Sequence, residues 1–250
     1  MPPCPRVGFT LVELSIVLVI IGLIIGGVLV GRDLIHASEI RAQISQFEKL
    51  STAVKTFKLK YELLPGDMTF LQARQFGFTN SGGGAGDGNS NGLINDLNGA
   101  MPIGALIWEP YLFFIQLSDA SLIEGKYRLV SNHFYIGEQF PPAKIGRGGI
   151  IAFSLSTGKL AYFFGLNVSL DSDIHFSAIS TAGVITPYDA STLDLKMDDG
   201  IPTSGRVRSA TVTASVPAYD VSDGACSKAS TSSYNVTSSS IACRLIVTAD

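Results

Sequence analysis

Residues 8–30 read GFTLVELSIVLVIIGLIIGGVLV, and this stretch decides how the rest of the chain is arranged. It contains one ionisable side chain, Glu13, in a run that is otherwise uncharged. A helix of about 20 mainly apolar residues is long enough to cross the hydrocarbon core of a bilayer. The run therefore predicts a membrane-spanning helix from which everything downstream is displayed.

Two features distinguish this run from an ordinary membrane span. The segment before it, MPPCPRVG, carries a single positive charge at Arg6 and ends in Gly8, which has no side chain to obstruct a peptidase. The second feature is Glu13, because a carboxylate in hydrocarbon costs about 2.5 kcal/mol or more and persists where it finds a partner. If the chain is cut after Gly8, the new amine of Phe9 is a suitable cation.

The sequence GFTLVE at residues 8–13, followed by the apolar run, closely resembles the processing site of type IV prepilins and of the pseudopilins of type II secretion. The resemblance implies that a prepilin peptidase cuts between Gly8 and Phe9 on the cytoplasmic side and methylates the amine of Phe9. It also implies that Glu13 aligns an incoming subunit by pairing with the N-terminal amine of a neighbour already in the fibre.

Two other interpretations of the apolar run stay open. A secretory signal peptide usually has an apolar core of about 7–15 residues followed by a small-residue cleavage site, whereas this run is longer and has no clear site of that kind. A plain signal anchor explains the length of the run but not the arrangement of Gly8 and Glu13.

The remaining pattern divides the chain into four parts. We expect a leader at residues 1–8, the transmembrane half of the N-terminal helix at 9–31, its amphipathic half at 32–63, and a globular head at 64–250. Apolar residues in the second half recur at spacings of three and four, which is typical of a helix with one buried face. A coiled-coil partner is the competing use of this stripe, which comprises Ile40, Ile44, Phe47, Leu50, Val54, Phe57 and Tyr61.

The head is expected to supply the surface that covers this stripe. Sequence patterns predict helices at 109–124 and from Thr186-Pro187 to about Lys196, with strands at 128–136, 149–155, 159–166, 207–216 and 241–248. The fold class is therefore α+β. The resemblance implies the same layout, because pilin-like subunits lay a long N-terminal helix across a mainly antiparallel sheet.

The cysteines predict one disulfide. Cys4 lies in the leader and would be removed, which leaves Cys226 and Cys243 as an even pair in a domain that folds outside the cytoplasm. We expect these two to be bridged, and two free buried thiols are the alternative. The chain-entropy model gives a bridge of this loop size about 3 kcal/mol of stabilisation.

A calcium site is a further candidate. Residues 80–99 are rich in glycine, asparagine and aspartate, and part of this loop follows the spacing of an EF-hand. The twelfth position of that pattern is asparagine rather than a bidentate glutamate, so a plain Asn/Gly turn is the alternative. The candidate ligands are Asp87, Asn89, Asn91, the carbonyl of Leu93, and Asp96.

Other site chemistry has little support in the sequence. His36, His133 and His175 are far apart without metal-ligand spacing, and no nucleophile elbow, phosphate loop or dinucleotide fingerprint is present. Asp198-Asp199 is a pair that could bind a cation, but adjacent aspartates beside glycine and proline are more often a solvated turn. We therefore expect no enzyme and no required cofactor, with Ca²⁺ as the one candidate ion.

The expected function is structural. The chain resembles a subunit of a type IV pilus or of a type II secretion pseudopilus, held in the bacterial inner membrane by a single pass before assembly. Its implied partners are other pilin or pseudopilin subunits, the prepilin peptidase, the inner-membrane assembly machinery and membrane lipid. A formal net charge of -3 gives no reason to expect nucleic acid. The alternatives are a minor or tip subunit, a membrane-tethered adhesin-like binding module, and a tethered hydrolase.

Overall fold

The structure is a computed structural model that describes residues 8, 10–78, 88–94, 108–128, 136–155, 157–166, 183–213, 216–219, 224–228 and 232–249. It is an α+β structure with a long N-terminal helix and a mainly antiparallel sheet, as the sequence predicts at that level. Its helices are α1 (Leu11–Tyr61), α2 (Phe70–Gln75), α3 (Trp108–Asp119) and α4 (Pro187–Met197).

The main sheet has five strands, all paired antiparallel, in the order β1-β2-β7-β3-β4. The hairpin expected at 149–155 and 159–166 is confirmed as β1 and β2. A separate two-stranded sheet pairs β5 with β6. The strands are β1 (Gly149–Ser154), β2 (Leu160–Leu166), β3 (Val207–Thr213), β4 (Val216–Tyr219), β5 (Ser227–Lys228), β6 (Ser233–Tyr234) and β7 (Leu245–Thr248).

The amphipathic stripe of α1 packs on the sheet inside the same chain. Phe47 is fully buried, and its ring lies 6.2 Å from that of Tyr162 and 6.1 Å from that of Phe164, both on β2. Ile44 and Tyr61 are only partly buried at the edge of this core. The intramolecular use of the stripe is therefore observed, and the other predicted members are buried: Ile40, Leu50, Val54 and Phe57.

Polar contacts fix the same helix to a loop before β1. Gln43 is buried within the stripe, where its side-chain oxygen accepts a hydrogen bond from the amide of Lys144 at 2.7 Å. One turn further, the Gln46 side chain donates to the carbonyl of Pro142 at 3.0 Å. Because buried polar groups require partners, these bonds allow glutamine within an otherwise apolar interface.

Several element boundaries differ from the sequence predictions. Helix α1 ends at Tyr61, where Glu62 adopts a left-handed conformation (φ 60°), so it stops before the Pro65 turn that was expected to end it. Helix α3 ends at Asp119 rather than near 124. A left-handed Ser121 (φ 57°) ends α3 before Gly125 is reached, and the amide of Leu122 bonds back to the carbonyl of Leu117.

The predicted C-terminal strands also needed correction. The single strand expected at 207–216 is a hairpin of β3 and β4, and the strand expected at 241–248 begins only at Leu245. The predicted helix beginning at Thr186 is confirmed as α4, capped by the Thr186 hydroxyl with Pro187 in its first turn. The strand predicted at 128–136 lies mostly outside the described residues.

Candidate functional site: the exposed half of helix α1

The first turn of α1 contains a reciprocal cap between Thr10 and Glu13. The Glu13 carboxylate accepts hydrogen bonds from the Thr10 amide at 2.7 Å and the Thr10 hydroxyl at 2.8 Å. In return, the Thr10 hydroxyl accepts a bond from the Glu13 amide at 3.3 Å. This capping box satisfies helix donors that would otherwise lack partners and turns the carboxylate back towards the start of the chain.

The predicted cleavage site adjoins this cap. Gly8 is exposed, and a Cβ added there would meet nothing within 4 Å. Phe9 lies outside the described residues, as do residues 1–7. Cleavage between Gly8 and Phe9, methylation of Phe9 and the pairing of Glu13 with a neighbour's amine therefore stay predictions.

Beyond the cap, the surface of α1 is apolar on every side. All residues from 11 to 30 are exposed, and none of the most hydrophobic window is buried within the chain. The helix is long and apolar enough to cross a membrane by length and composition. A carboxylate at the tip of an exposed apolar helix can accept a cation, and burial of such an apolar surface away from water is favourable.

The predicted calcium loop is organised by a buried carboxylate that sequence reasoning missed as a site residue. One oxygen of Asp67 accepts from the Asn91 amide at 3.1 Å and the other accepts from the Gly92 amide at 2.7 Å. Burial raises the pKa of Asp67, and these backbone donors act against that rise. Asp67 follows the Pro65-Gly66 turn, and no local pattern shows that it would reach a loop more than 20 residues away.

The described part of that loop uses its predicted ligands to hold its own backbone. The Asn89 side-chain oxygen accepts from the Asn91 amide at 2.9 Å, and the Asn91 side-chain oxygen accepts from the Leu93 amide at 2.8 Å. These are two successive Asx turns, the local bonding that favours asparagine in loops. Asp87 and Asp96 lie outside the described residues, so the calcium site stays a prediction.

A second acidic group lies at the C-terminal end of α4 and in the turn that follows it, where Asp194, Asp198 and Asp199 have carboxylate oxygens within 4.8 Å of one another. Asp194 is buried and accepts from the Tyr234 hydroxyl at 2.8 Å and from the Gly200 amide at 3.2 Å. Burial raises the pKa of Asp194 to about 6; the two donors lower it, and the neighbouring aspartates raise it further.

The other two carboxylates in this turn also bind the chain's own donors. Asp198 accepts from the amides of Arg206 and Val207, while Asp199 accepts from the Ser204 hydroxyl at 2.6 Å and the Ile201 amide at 2.8 Å. Hydrogen bonds, first that of Ser204, lower the pKa of Asp199. These contacts account for the acidic turn as local structure.

The predicted disulfide is confirmed. Cys226 and Cys243 are bonded, with 4.8 Å between their Cα atoms, and both are buried. The Cys243 carbonyl accepts from the Val184 amide at 2.9 Å, so the bridge also adjoins the chain that leads into α4.

Comparisons with known proteins give no family for this chain. No protein-family model, no curated protein and no solved structure matches it. Its functional assignment therefore depends on the residues and contacts above.

The histidines do not form a metal or catalytic group in the part of the chain that is described. His36 lies beside Asp189, with 2.9 Å between His36 Nε2 and Asp189 Oδ1. His133 and His175 fall outside that part. The absence of an enzyme activity stays a prediction from the sequence.

Proposed function

We propose that this chain is a structural subunit, a pilin or pseudopilin, of a type IV pilus or type II secretion pseudopilus. The observation that carries the proposal is the change of environment along α1. Its first half is exposed and apolar behind a capped carboxylate, and its second half covers an antiparallel sheet. A protein built to be stored in lipid and then polymerised needs both surfaces on one rod.

The proposed route begins in the bacterial inner membrane with the head outside the cytoplasm. Prepilin peptidase removes residues 1–8 and methylates Phe9. The inner-membrane assembly machinery then extracts the subunit, and the apolar half of α1 exchanges lipid for the same surface of other subunits. Its apolar area remains covered throughout, which keeps the cost of extraction low.

Glu13 provides the polar contact between subunits during this exchange. Its carboxylate pairs with the amine of Phe9 on a neighbouring subunit, so an incoming subunit settles at the height where that pair forms. In an apolar bundle an unpaired carboxylate is costly, and the pairing therefore selects one register. The cap from Thr10 holds the carboxylate until the neighbour's amine replaces it.

Glu13→Gln tests this step because the amide oxygen still accepts the Thr10 hydrogen bonds while the charge is lost. We expect the variant to insert into the membrane and to be processed, but to form at least about tenfold less fibre. Thr10→Ala is the matched control, since it removes the hydroxyl bonds of the cap and leaves the carboxylate. Normal fibre yield from Glu13→Gln would contradict the proposed role of the charge.

A scarce minor or tip subunit, or a tethered adhesin-like module, is the alternative. The Asn/Gly loop is the feature that favours it, because Asp67 holds its residues 89–92 on the surface of the head, where loops commonly bind ligands. Counting copies per fibre distinguishes the two, since a main subunit is abundant and a tip subunit is rare.

A further inference from the structure

The first turn of α4 is attached to α1 just beyond the apolar run. His36 Nε2 lies 2.9 Å from Asp189 Oδ1, and the rings of His36 and Tyr188 stack with 6.4 Å between their centroids. Asp189 is itself held by the Thr186 hydroxyl, which donates to its other oxygen at 2.7 Å. These contacts fix the position of Tyr188 along α1.

That position falls at the level of the lipid headgroups when α1 is inserted. Arg32 is the first basic residue after the apolar run, and His36 lies one turn further, about 6 Å along the axis. The headgroup layer on each side of a bilayer is roughly 5–7 Å thick. Tyr188, packed against His36, therefore lies within or at the edge of this layer.

The residues at this level include exposed aromatic and aliphatic side chains, which suit the interface between a membrane and water. Tyr188 is 58% exposed although its ring is large, and Leu34 and Ile35, which precede His36 in α1, are 67% and 63% exposed. Tyrosine combines an apolar ring with a polar hydroxyl and is enriched where a membrane meets water. Nothing else in the described head covers these side chains.

The nearby charges do not form a basic patch. Within residues 31–40, Arg32 is the only fixed cation. The acidic residues near His36 are Asp33, Glu39 and Asp189. Attraction to anionic lipid is therefore weak, and burial of aromatic and aliphatic surface is the driving force. This distinguishes the site from polybasic membrane contacts, which are lost at high salt.

We infer that the first turn of α4 is a second membrane contact, in which Tyr188 inserts among lipid headgroups before the subunit is assembled. The inference rests on the proposed function, in that α1 must be the membrane anchor. The contact holds the head at a fixed tilt on the bilayer, and extraction into a fibre removes Tyr188 from lipid together with the apolar half of α1.

The test uses the full chain with Cys4→Ser, reconstituted into phosphatidylcholine vesicles in which some headgroups carry a nitroxide quencher. A fluorophore is attached to a single new cysteine, without reductant so that the native disulfide stays intact. The three positions are Tyr188→Cys, Leu23→Cys within the span, and Leu59→Cys as an exposed control. Leu59 is 23 residues beyond His36, about 35 Å along α1.

We expect quenching at position 188 to be at least about threefold stronger than at 59, and unchanged by about 0.5 M salt. Equal quenching at 188 and 59, with position 23 shielded from water, would overturn the inference while leaving the anchor intact. Exposure of position 23 to water would overturn the anchor and the inference together. Loss of quenching in salt would show an electrostatic contact and would also overturn the inference.

A second set of variants keeps the fluorophore off the tyrosine. With the label on Ser191→Cys, Tyr188→Ser should lower headgroup quenching about twofold, whereas Tyr188→Trp should retain it. Equal quenching in all three proteins would mean that the ring does not insert. His36→Ala should give a similar loss to Tyr188→Ser, because it releases the turn from α1.

Discussion

The two halves of α1 share one continuous helix and have opposite environments. Residues 11–30 are exposed on every side, whereas the later half buries a single stripe against the sheet and bonds through Gln43 and Gln46 to a neighbouring loop. The periodicity of apolar residues distinguishes the two halves. A helix that is apolar on all sides has no preferred buried face, whereas a helix with one apolar stripe buries that stripe. The described part of the chain buries none of residues 11–30.

The two environments of α1 predict that truncation of an apolar side chain strongly destabilises the head in the later half and has little effect in the first half. Phe47→Ala removes a fully buried ring that contacts two aromatic residues on β2, so we expect the head to lose about 3–5 kcal/mol of unfolding free energy. Leu18→Ala should change it by less than about 0.5 kcal/mol. Denaturant unfolding of the detergent-solubilised chain, followed by near-ultraviolet circular dichroism, measures both.

Equal losses from the two substitutions would contradict the comparison, since that would require Leu18 to be packed within its own chain. Near-silence of Phe47→Ala would instead show that the later half of α1 is not part of the head's core.

The disulfide stabilises the head at a place remote in sequence from α1. Replacing both Cys226 and Cys243 by alanine opens a loop with a sequence separation of 17 residues. We expect a loss of about 3 kcal/mol. Cys4→Ser is the matched control and should leave the unfolding midpoint unchanged. If the double variant unfolds at the wild-type denaturant concentration, the bridge contributes nothing to the head.

The loop held by Asp67 should show a smaller effect. Asp67→Ala removes the carboxylate acceptor of the Gly92 amide and one acceptor of the Asn91 amide, which also donates to Asn89, and we expect a cost of about 1–3 kcal/mol. Asn89→Ala, at an exposed position in the same loop, should cost less than about 1 kcal/mol. The same unfolding assay compares them, and a larger loss from Asn89→Ala would contradict the role of Asp67 as the organiser of this loop.

A pH dependence of stability is expected from Asp194. Because its pKa in the folded head is raised to about 6, the folded form keeps a proton that the unfolded chain has already lost. Stability therefore falls as pH rises from about 4 to 6 and levels off above that. Asp194→Asn should lack this component, so the difference in melting temperature between variant and wild type should grow in favour of the variant over that range. A constant difference would contradict the raised pKa.

The elements that local sequence could predict are those with a strong repeating pattern or an explicit terminal signal. The buried stripe of α1, the β1–β2 hairpin and the Thr186-Pro187 start of α4 fall in this group. Helix α2 was missed although Thr69 and Gln72 form a capping box whose spacing is visible in the sequence. That signal was present and could have found the helix.

The missed contacts of the candidate sites have a different cause. Asp67 reaches a loop more than 20 residues away, and His36 reaches Asp189 across most of the chain. Such contacts depend on how the helices pack, and the identity of a single residue does not predict that packing. For the same reason the break between β3 and β4 was not visible in a run of alternating residues.

The proposed function depends on whether residues 1–8 are removed. Intact and N-terminal mass spectrometry of the protein purified from membranes of the cells that make it measures this in one step. We predict a chain that begins at Phe9, carries one added methyl group on that amine and retains the Cys226–Cys243 bridge. A protein that still begins at Met1, or one cleaved after the apolar run so that α1 has lost its exposed half, would contradict the proposed function.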